Sequence, residues 1–290
     1  MNAAAAPILV VGEFDGFHLG HRQLVHSALS IARRSEAPVV GIVIVDRRVP
    51  GTLTTVDERC WALLASGASS AMVISVEPMA DTRLGAELVD EIVARLRPAA
   101  VVMACLPDDT ANARYPSLRG EFHRAGIEVV EVERWHNPDG QFITSAGIRD
   151  ALRTGEIAQA NDWLGRTFTL SGIVVHGSGL GRTIGFPTAN LRLDPGALIP
   201  MNGVYAADVD LATGGQRRGA VNIGVRPTIE SNGAVLVEAH LLDFDGDLYG
   251  SRISVGFRRW LRNEQRFDSV DALVAQLGRD VEQTRLVLRS

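Results

Sequence analysis

Through the first 165 residues, short apolar runs of strand length alternate with longer segments of helical periodicity. Residues 8–11, 38–45, 71–76, 99–104 and 127–132 are strand candidates, and 21–34, 58–66, 85–97 and 117–125 are helix candidates. Nearly continuous apolar strands separated by helices predict a parallel sheet covered on both faces. Ligands of such sheets sit beyond the carboxyl ends of the strands, and the loop at 12–20 lies there after the first strand. Beyond about residue 167 the pattern changes. Segments 167–175, 203–211, 216–223, 235–242 and 252–258 are rich in β-branched residues and punctuated by Gly, Pro, Asn and Asp. They predict an antiparallel barrel or sandwich. Leu273, Leu277, Val281 and Leu288 recur near helical spacing and predict a last helix over 270–288, capped by Asp268 or Ser269. The join falls within 155–166, giving one domain over 1–165 and a second over 166–290.

Composition narrows the chemistry. The net charge is −5, which gives no general electrostatic reason to expect a nucleic-acid partner. All 29 basic residues are arginine. The absence of lysine excludes a Schiff base and a Walker-type P-loop, so any phosphate must be held by backbone amides, arginine, histidine or metal ions. Cys60 and Cys105 sit in no ligand or redox spacing, which argues against a zinc site and a disulfide framework. No apolar run reaches the roughly 20 residues of a membrane span. The N-terminal stretch also lacks the basic start of a secretory signal. The expected setting is cytoplasmic, with no membrane partner.

Two glycine-rich motifs stand out. The first, GEFDGFHLGH, places Gly12, Phe14, Asp15, His18, Gly20 and His21 between a strand and a helix. Glycines let a backbone approach phosphates, the helix start offers amides, and histidine can donate to a transferring phosphoryl group. The plainer reading is a turn carrying two solvated histidines. The second is HGSGLGRTIGFPTAN, with Gly177, Gly179, Gly181, Arg182, Gly185, Pro187, Thr188 and Asn190. Four glycines in nine residues disfavour a stable helix or a continuous strand and suit a loop whose amides wrap phosphates. Thr188 and Asn190 each offer a neutral oxygen, fitting a Mg²⁺ ion held mostly by nucleotide phosphates and water. Farther on, Glu238 interrupts an apolar strand. It is either an outward residue of an alternating strand or a general base that deprotonates a hydroxyl attacking the γ-phosphate of ATP. Arg262, Glu264 and Phe267 lie in RRWLRNEQRF, either a solvated segment or a flap over a flat ligand.

These motifs carry a resemblance. GRTIGFPTAN, NIGVRPT, VEAHLLDFDGDLYG and WLRNEQRFDSVDAL, in that order, resemble the riboflavin kinase module, and the first 165 residues resemble the FMN adenylyltransferase module. Together they are similar to the bacterial bifunctional riboflavin kinase/FAD synthetase family. The resemblance implies an α/β nucleotidyltransferase-like, Rossmann-like N-terminal domain and an all-β six-stranded kinase barrel with a C-terminal helix. It implies riboflavin, ATP and FMN as small-molecule partners, and Mg²⁺ as the metal. It implies Glu238 as base, Thr188 and Asn190 at the metal, residues 177–185 over ATP, and Arg262 with its neighbours on the flavin side. In the first half, Ser145 and Arg149 survive from a Ser-Ser-Thr-x-Ile-Arg element that here reads Thr144-Ser145-Ala146-Gly147-Ile148-Arg149.

The first half also departs from that family. Where a Phe-x-Pro-His-Pro element is usual, the chain has Ile44-Val45-Asp46-Arg47-Arg48-Val49-Pro50. Where Gly-x-Asp-Phe-x-Phe-Gly is usual, it has Met103-Ala104-Cys105-Leu106-Pro107-Asp108-Asp109. Each donor lost from a site stabilising a pyrophosphate leaving group costs about 2.7–4 kcal/mol, roughly 10²–10³ in rate. The sequence therefore points to a competent kinase joined to an impaired adenylyltransferase fold, with Arg47 and Arg48 as candidate replacements. Full bifunctionality, a kinase for a riboflavin analogue and a non-catalytic flavin- or nucleotide-binding regulator are the alternatives.

Overall fold

The computed structural model describes residues 5–46, 51–76, 83–105, 118–225 and 235–289. The chain divides into two compact units, Met1–Ser145 and Ala146–Ser290.

In the first unit, β1 (Ile8–Gly12), α1 (Leu19–Ser35), β2 (Val39–Asp46), α2 (Val56–Ala65) and β3 (Ser70–Val76) are followed by α3 (Arg83–Leu96), β4 (Ala100–Ala104), α4 (Leu118–Arg124) and β5 (Glu128–Val132). The strands form one sheet in the order β3-β2-β1-β4-β5, and every neighbouring pair is parallel. The period-2 alternation of β1 splits its side chains between two cores. Ile8 and Val10 pack with α1 and Leu63 of α2, while Leu9 and Val11 pack with Val89 and Ile92 of α3 and Phe122 of α4. Each such fully buried side chain contributes roughly 1.5–3 kcal/mol. Gly41 of β2 permits the close approach of α2, since a Cβ there would lie 2.7 Å from a Leu63 methyl. A capping box starts α2: the Glu58 amide donates to Thr55 Oγ1 at 3.2 Å, and the Thr55 amide donates to Glu58 Oε2 at 2.7 Å. Strand order reverses between β1 and β4, so the loop after β1 lies at the topological switch point.

The second unit holds α5 (Ser145–Arg153) from Ala146 onward, α6 (Ile157–Leu164), β6 (Phe168–Val175), the single turn α7 (Leu180–Thr183) and β7 (Ala189–Leu193). β8 (Gly203–Leu211), β9 (Gln216–Val225), β10 (Val235–Leu241), β11 (Arg252–Arg262) and α8 (Val270–Val287) follow. The strands close into a barrel in the order β10-β7-β6-β11-β8-β9. This resolves the sequence alternatives in favour of a barrel, which leaves no unpaired sheet edge. Alternation fills the interior with Phe168, Tyr205, Val221, Val237, Val255 and Phe257. α8 packs against β8, β9 and β11, and the Ser269 hydroxyl caps it by accepting from the Ala272 amide at 3.2 Å.

The elements α5, α6 and β7 were not among those read from the sequence. Pro187-Thr188-Ala189-Asn190 reads as the end of a loop, yet Ala189 begins β7, a barrel strand between β10 and β6. The compact division also falls ahead of the join expected at 155–166. Asn161 of α6 accounts for part of this: its Nδ2 donates to the Phe257 carbonyl at 2.8 Å and its Oδ1 accepts from the Phe168 amide at 2.7 Å, tying α6 to the barrel.

Candidate active sites

The barrel site is built by cross-strand register. Glu238 on β10 stands directly opposite Asn190 on β7 and Asn222 on β9. Directly opposed residues share a face with Cβ atoms about 4.5–5.5 Å apart. The neighbours Val237 and Ala239 point into the barrel, so Glu238 is the outward residue of an alternating strand and is half-buried. Of the two sequence readings, the outward position of an alternating strand is what the register describes, and across the ladder from Glu238 stands Asn190. Thr188 lies two residues before Asn190 and is half-buried. Its hydroxyl sits 3.5 Å from where a Gly181 Cβ would be, under the glycine loop.

That loop is tight where it has to be. Gly179 and Gly185 take φ values of 76° and 85°, in the left-handed region open to glycine. A Cβ on Gly177 would run into the Asn190 side-chain amide, so the missing side chain lets the loop close over it. Against the expectation that four glycines exclude helix, residues 180–183 make one turn, held by Thr183 Oγ1 donating to the Leu180 carbonyl at 2.7 Å. Arg182 and Pro187 are exposed. His240, two residues after Glu238, ties β10 to the other wall, with its Nδ1 2.8 Å from the Pro187 carbonyl oxygen.

Asn190 is 8% exposed, and its Oδ1 has no hydrogen-bond partner among the described residues. A buried amide oxygen left unpaired is costly unless a ligand completes it. A neutral oxygen there, beside the Thr188 hydroxyl, fits a hard divalent cation that keeps most of its shell as phosphate oxygen and water. No cluster of three His, Cys, Asp or Glu suited to a metal is present among the described residues.

Arg262, read as a flavin-side residue, directs its guanidinium at Asp280 of α8, with Nε–Oδ1 at 2.8 Å and Nη2–Oδ2 at 2.7 Å. Glu264 does reach the outward face: its carboxylate lies against Gly224, which shares that face of β9 with Asn222. Phe267 is half-buried. Arg226 and Thr228 of the NIGVRPT motif lie outside the described residues.

In the first unit, the loop from Gly12 to α1 is a buried hydrogen-bonded structure, not a solvated turn. His18 and His21 are 5% and 9% exposed and stack with ring centroids 3.7 Å apart. Phe14 and Asp15, read as nucleotide contacts, are both completely buried. Phe14 packs into the core, 5.2 Å from the His21 ring centroid, and its ring fills the space beside Gly12. The Asp15 carboxylate accepts from the amides of Leu53 and Thr54 at 3.2 and 3.0 Å, from the Thr54 hydroxyl at 3.2 Å, and from Arg59 Nη2 at 2.8 Å. Ser145 likewise braces the loop, donating to the Asp15 carbonyl at 2.8 Å. Arg149 is buried on α5 in the second unit. Gly20 lies where His18 and Trp135 converge: a Cβ there would sit 3.1 Å from the imidazole and 3.7 Å from the Trp135 Cβ.

Burial, then the charges of His18 and Arg59, hold the His21 pKa well below its usual 6.5. His21 is therefore neutral at physiological pH and presents one N–H and one lone pair. Between 6.5 and the lower folded value the unfolded chain binds more protons than the native one, so stability falls as pH drops through that window. Thermal unfolding at about pH 5.5 should lie below that at about pH 7.5, and His21→Gln should narrow the gap.

Sequence reasoning quoted Asn222 within NIGVRPT without giving it a role, and it missed Arg59, Asp280 and Trp135. Asn222 needs the β9–β10 register, and Arg59 and Asp280 act through ion pairs formed across 44 and 18 residues of chain. Only Trp135, an exposed tryptophan shortly after the last parallel strand, carried a local signal.

A doubly wound parallel sheet and a closed antiparallel barrel with a trailing helix define a two-module protein with nucleotidyltransferase-like and riboflavin-kinase-like parts. Residues 164–288 match the riboflavin kinase family and residues 2–105 match the FAD synthetase family. A bifunctional riboflavin kinase/FMN adenylyltransferase of Haemophilus influenzae is 32% identical, covering 97% of this chain and 94% of its own. The Escherichia coli K12 protein of the same description is 35% identical over 96% of this chain and 93% of its own. A solved Streptococcus pneumoniae structure, described as a macrolide-efflux protein, superposes with a TM-score of 0.83 at 27% identity, covering 98% of this chain and 95% of that one. The chain belongs to the bifunctional riboflavin kinase/FMN adenylyltransferase family. Among the described residues no helix is long and apolar enough to cross a membrane.

Proposed function

We propose that the chain makes FMN from riboflavin and ATP at the barrel, and FAD from FMN and ATP at the first unit. The observation that carries the kinase half is the pairing of Glu238 with Asn190 beneath the glycine loop. Glu238 accepts the proton of the riboflavin 5′-hydroxyl as that oxygen bonds to the γ-phosphorus; the bond from phosphorus to the β,γ-bridging oxygen breaks and ADP leaves. Amides of residues 177–185 surround the triphosphate, and Arg182 lies at its rim. Thr188 and Asn190 would hold Mg²⁺, which when bound would neutralise triphosphate charge.

In the first unit, an FMN phosphate oxygen attacks the α-phosphorus of ATP and pyrophosphate leaves. His18, neutral His21 and the start of α1 sit where donors to that triphosphate are needed, at the switch point of the sheet. The impairment drawn from the sequence gives way to this bifunctional reading. Full-length relatives carry both activities in their descriptions, and the FAD synthetase match spans the first strands and the histidine loop. The motif departures at 47–50 and 106–110, with Arg47 and Arg48 among them, lie outside the described residues. The altered Ala146 and Gly147 favour the second reading, a kinase whose first unit is structural or regulatory. Purified full-length protein given riboflavin, ATP and Mg²⁺, with the flavins resolved chromatographically, should yield both FMN and FAD. FMN alone would return the second reading, and neither product would overturn both. Flavin synthesis from soluble substrates also supports a cytoplasmic setting.

A further inference from the structure

Asp280 is the one residue of α8 whose side chain is a buried carboxylate, 1% exposed and outside the proposed chemistry. It accepts both prongs of the Arg262 guanidinium, at 2.8 and 2.7 Å, and a third bond from Gln276 Nε2 at 2.8 Å. Arg262 is the last residue of β11, and its remaining nitrogen, Nη1, donates to the Asn263 carbonyl at 2.8 Å. A bidentate fork fixes direction as well as distance. The strand reaches this point through two register shifts, between Phe257 and Arg259 and between Trp260 and Arg262. Gly203 makes room for it, since a Cβ there would lie 2.6 Å from the Arg262 carbonyl oxygen. Two residues later the Glu264 carboxylate rests on Gly224, on the β9 face that also presents Asn222 to Glu238. The segment at 263–267 is thus anchored to α8 at its root and seated beside the catalytic row at its tip.

We infer that Asp280 is a positioning residue for the flavin substrate: by locking Arg262 it aims residues 263–267 along the face carrying Asn222 and Glu238, and so sets riboflavin affinity without touching ATP. The inference rests on the kinase reading. Glu264 lies against Gly224 on β9, the strand next to Glu238, whereas the glycine loop closes over Asn190 on β7 at the other side of the row. Loosening the Arg262 fork therefore affects one substrate and not the other.

The test is steady-state FMN formation by full-length protein with each substrate varied in turn. Asp280→Asn keeps the shape and removes the charge; Arg262→Lys keeps the charge and removes the fork. Each should raise the riboflavin KM by roughly tenfold, the size of one lost charge-assisted hydrogen bond, with the ATP KM within about twofold of wild type. An unchanged riboflavin KM in either folded variant, or an equal rise in both KM values, would overturn the inference. If Asp280→Asn does not fold, Arg262→Lys alone decides. Wild-type protein that forms no FMN would sink the kinase reading instead.

Discussion

Glu238→Gln lowers FMN formation by about 10²–10⁴-fold, or roughly 2.7–5.5 kcal/mol of transition-state stabilisation, while riboflavin still binds. The substitution keeps the side-chain volume, but it removes the negative charge and the capacity to accept a proton, and it turns one of the two acceptor positions into a donor. Glu238 faces outward from β10 between Asn190 and Asn222, so the amide can be accommodated without disturbing the barrel interior formed by Val237 and Ala239. Burst and single-turnover measurements with riboflavin fluorescence separate binding from chemistry. Unaltered turnover would remove Glu238 as the base.

Asp15→Ala destabilises the first unit by about 3–5 kcal/mol, because it leaves a buried guanidinium without its counter-charge. Arg59 is 5% exposed and gives its remaining hydrogen bonds to the Thr54 and Glu13 carbonyls. The same network holds Phe14, Gly16 and Phe17 at φ values of 51°, 82° and 43°. A non-glycine residue in that region costs of order 1–3 kcal/mol and persists only when its surroundings over-determine it. Without Asp15 the loop relaxes, the histidine stack is lost, and FAD formation from FMN falls with it. Denaturant unfolding and amide exchange in the β1–α1 loop measure the effect. Wild-type protection of that loop in the variant would show that Asp15 is dispensable.

The parallel sheet was legible because its strands are short continuous apolar runs alternating with longer segments of helical period, so that length and order tell the two apart. The five antiparallel segments were legible from β-branched residues between turn formers, and the last helix from its helical spacing. β7 was not, since Ala189–Leu193 is short and its first residues were read as the end of the glycine-rich motif. At the sites, residue type pointed to the right neighbourhood but not to the role of each member. Asp15 and Phe14 carry the marks of a phosphate loop, yet one is the loop's internal counter-ion and the other its core anchor. Arg262 has the chemistry of a ligand contact and is taken by Asp280. Such assignments depend on which long-range partner wins a charged group, and local spacing carries no record of that competition.

The direct opposition of Glu238 and Asn190 restricts how this chain can vary in length. Because side chains alternate with a period of two, one residue inserted into β10 would turn the Glu238 carboxylate, and one inserted into β7 the Asn190 amide, toward the apolar interior. Viable length changes in this part of the lineage therefore fall in the connections between strands, or come in pairs.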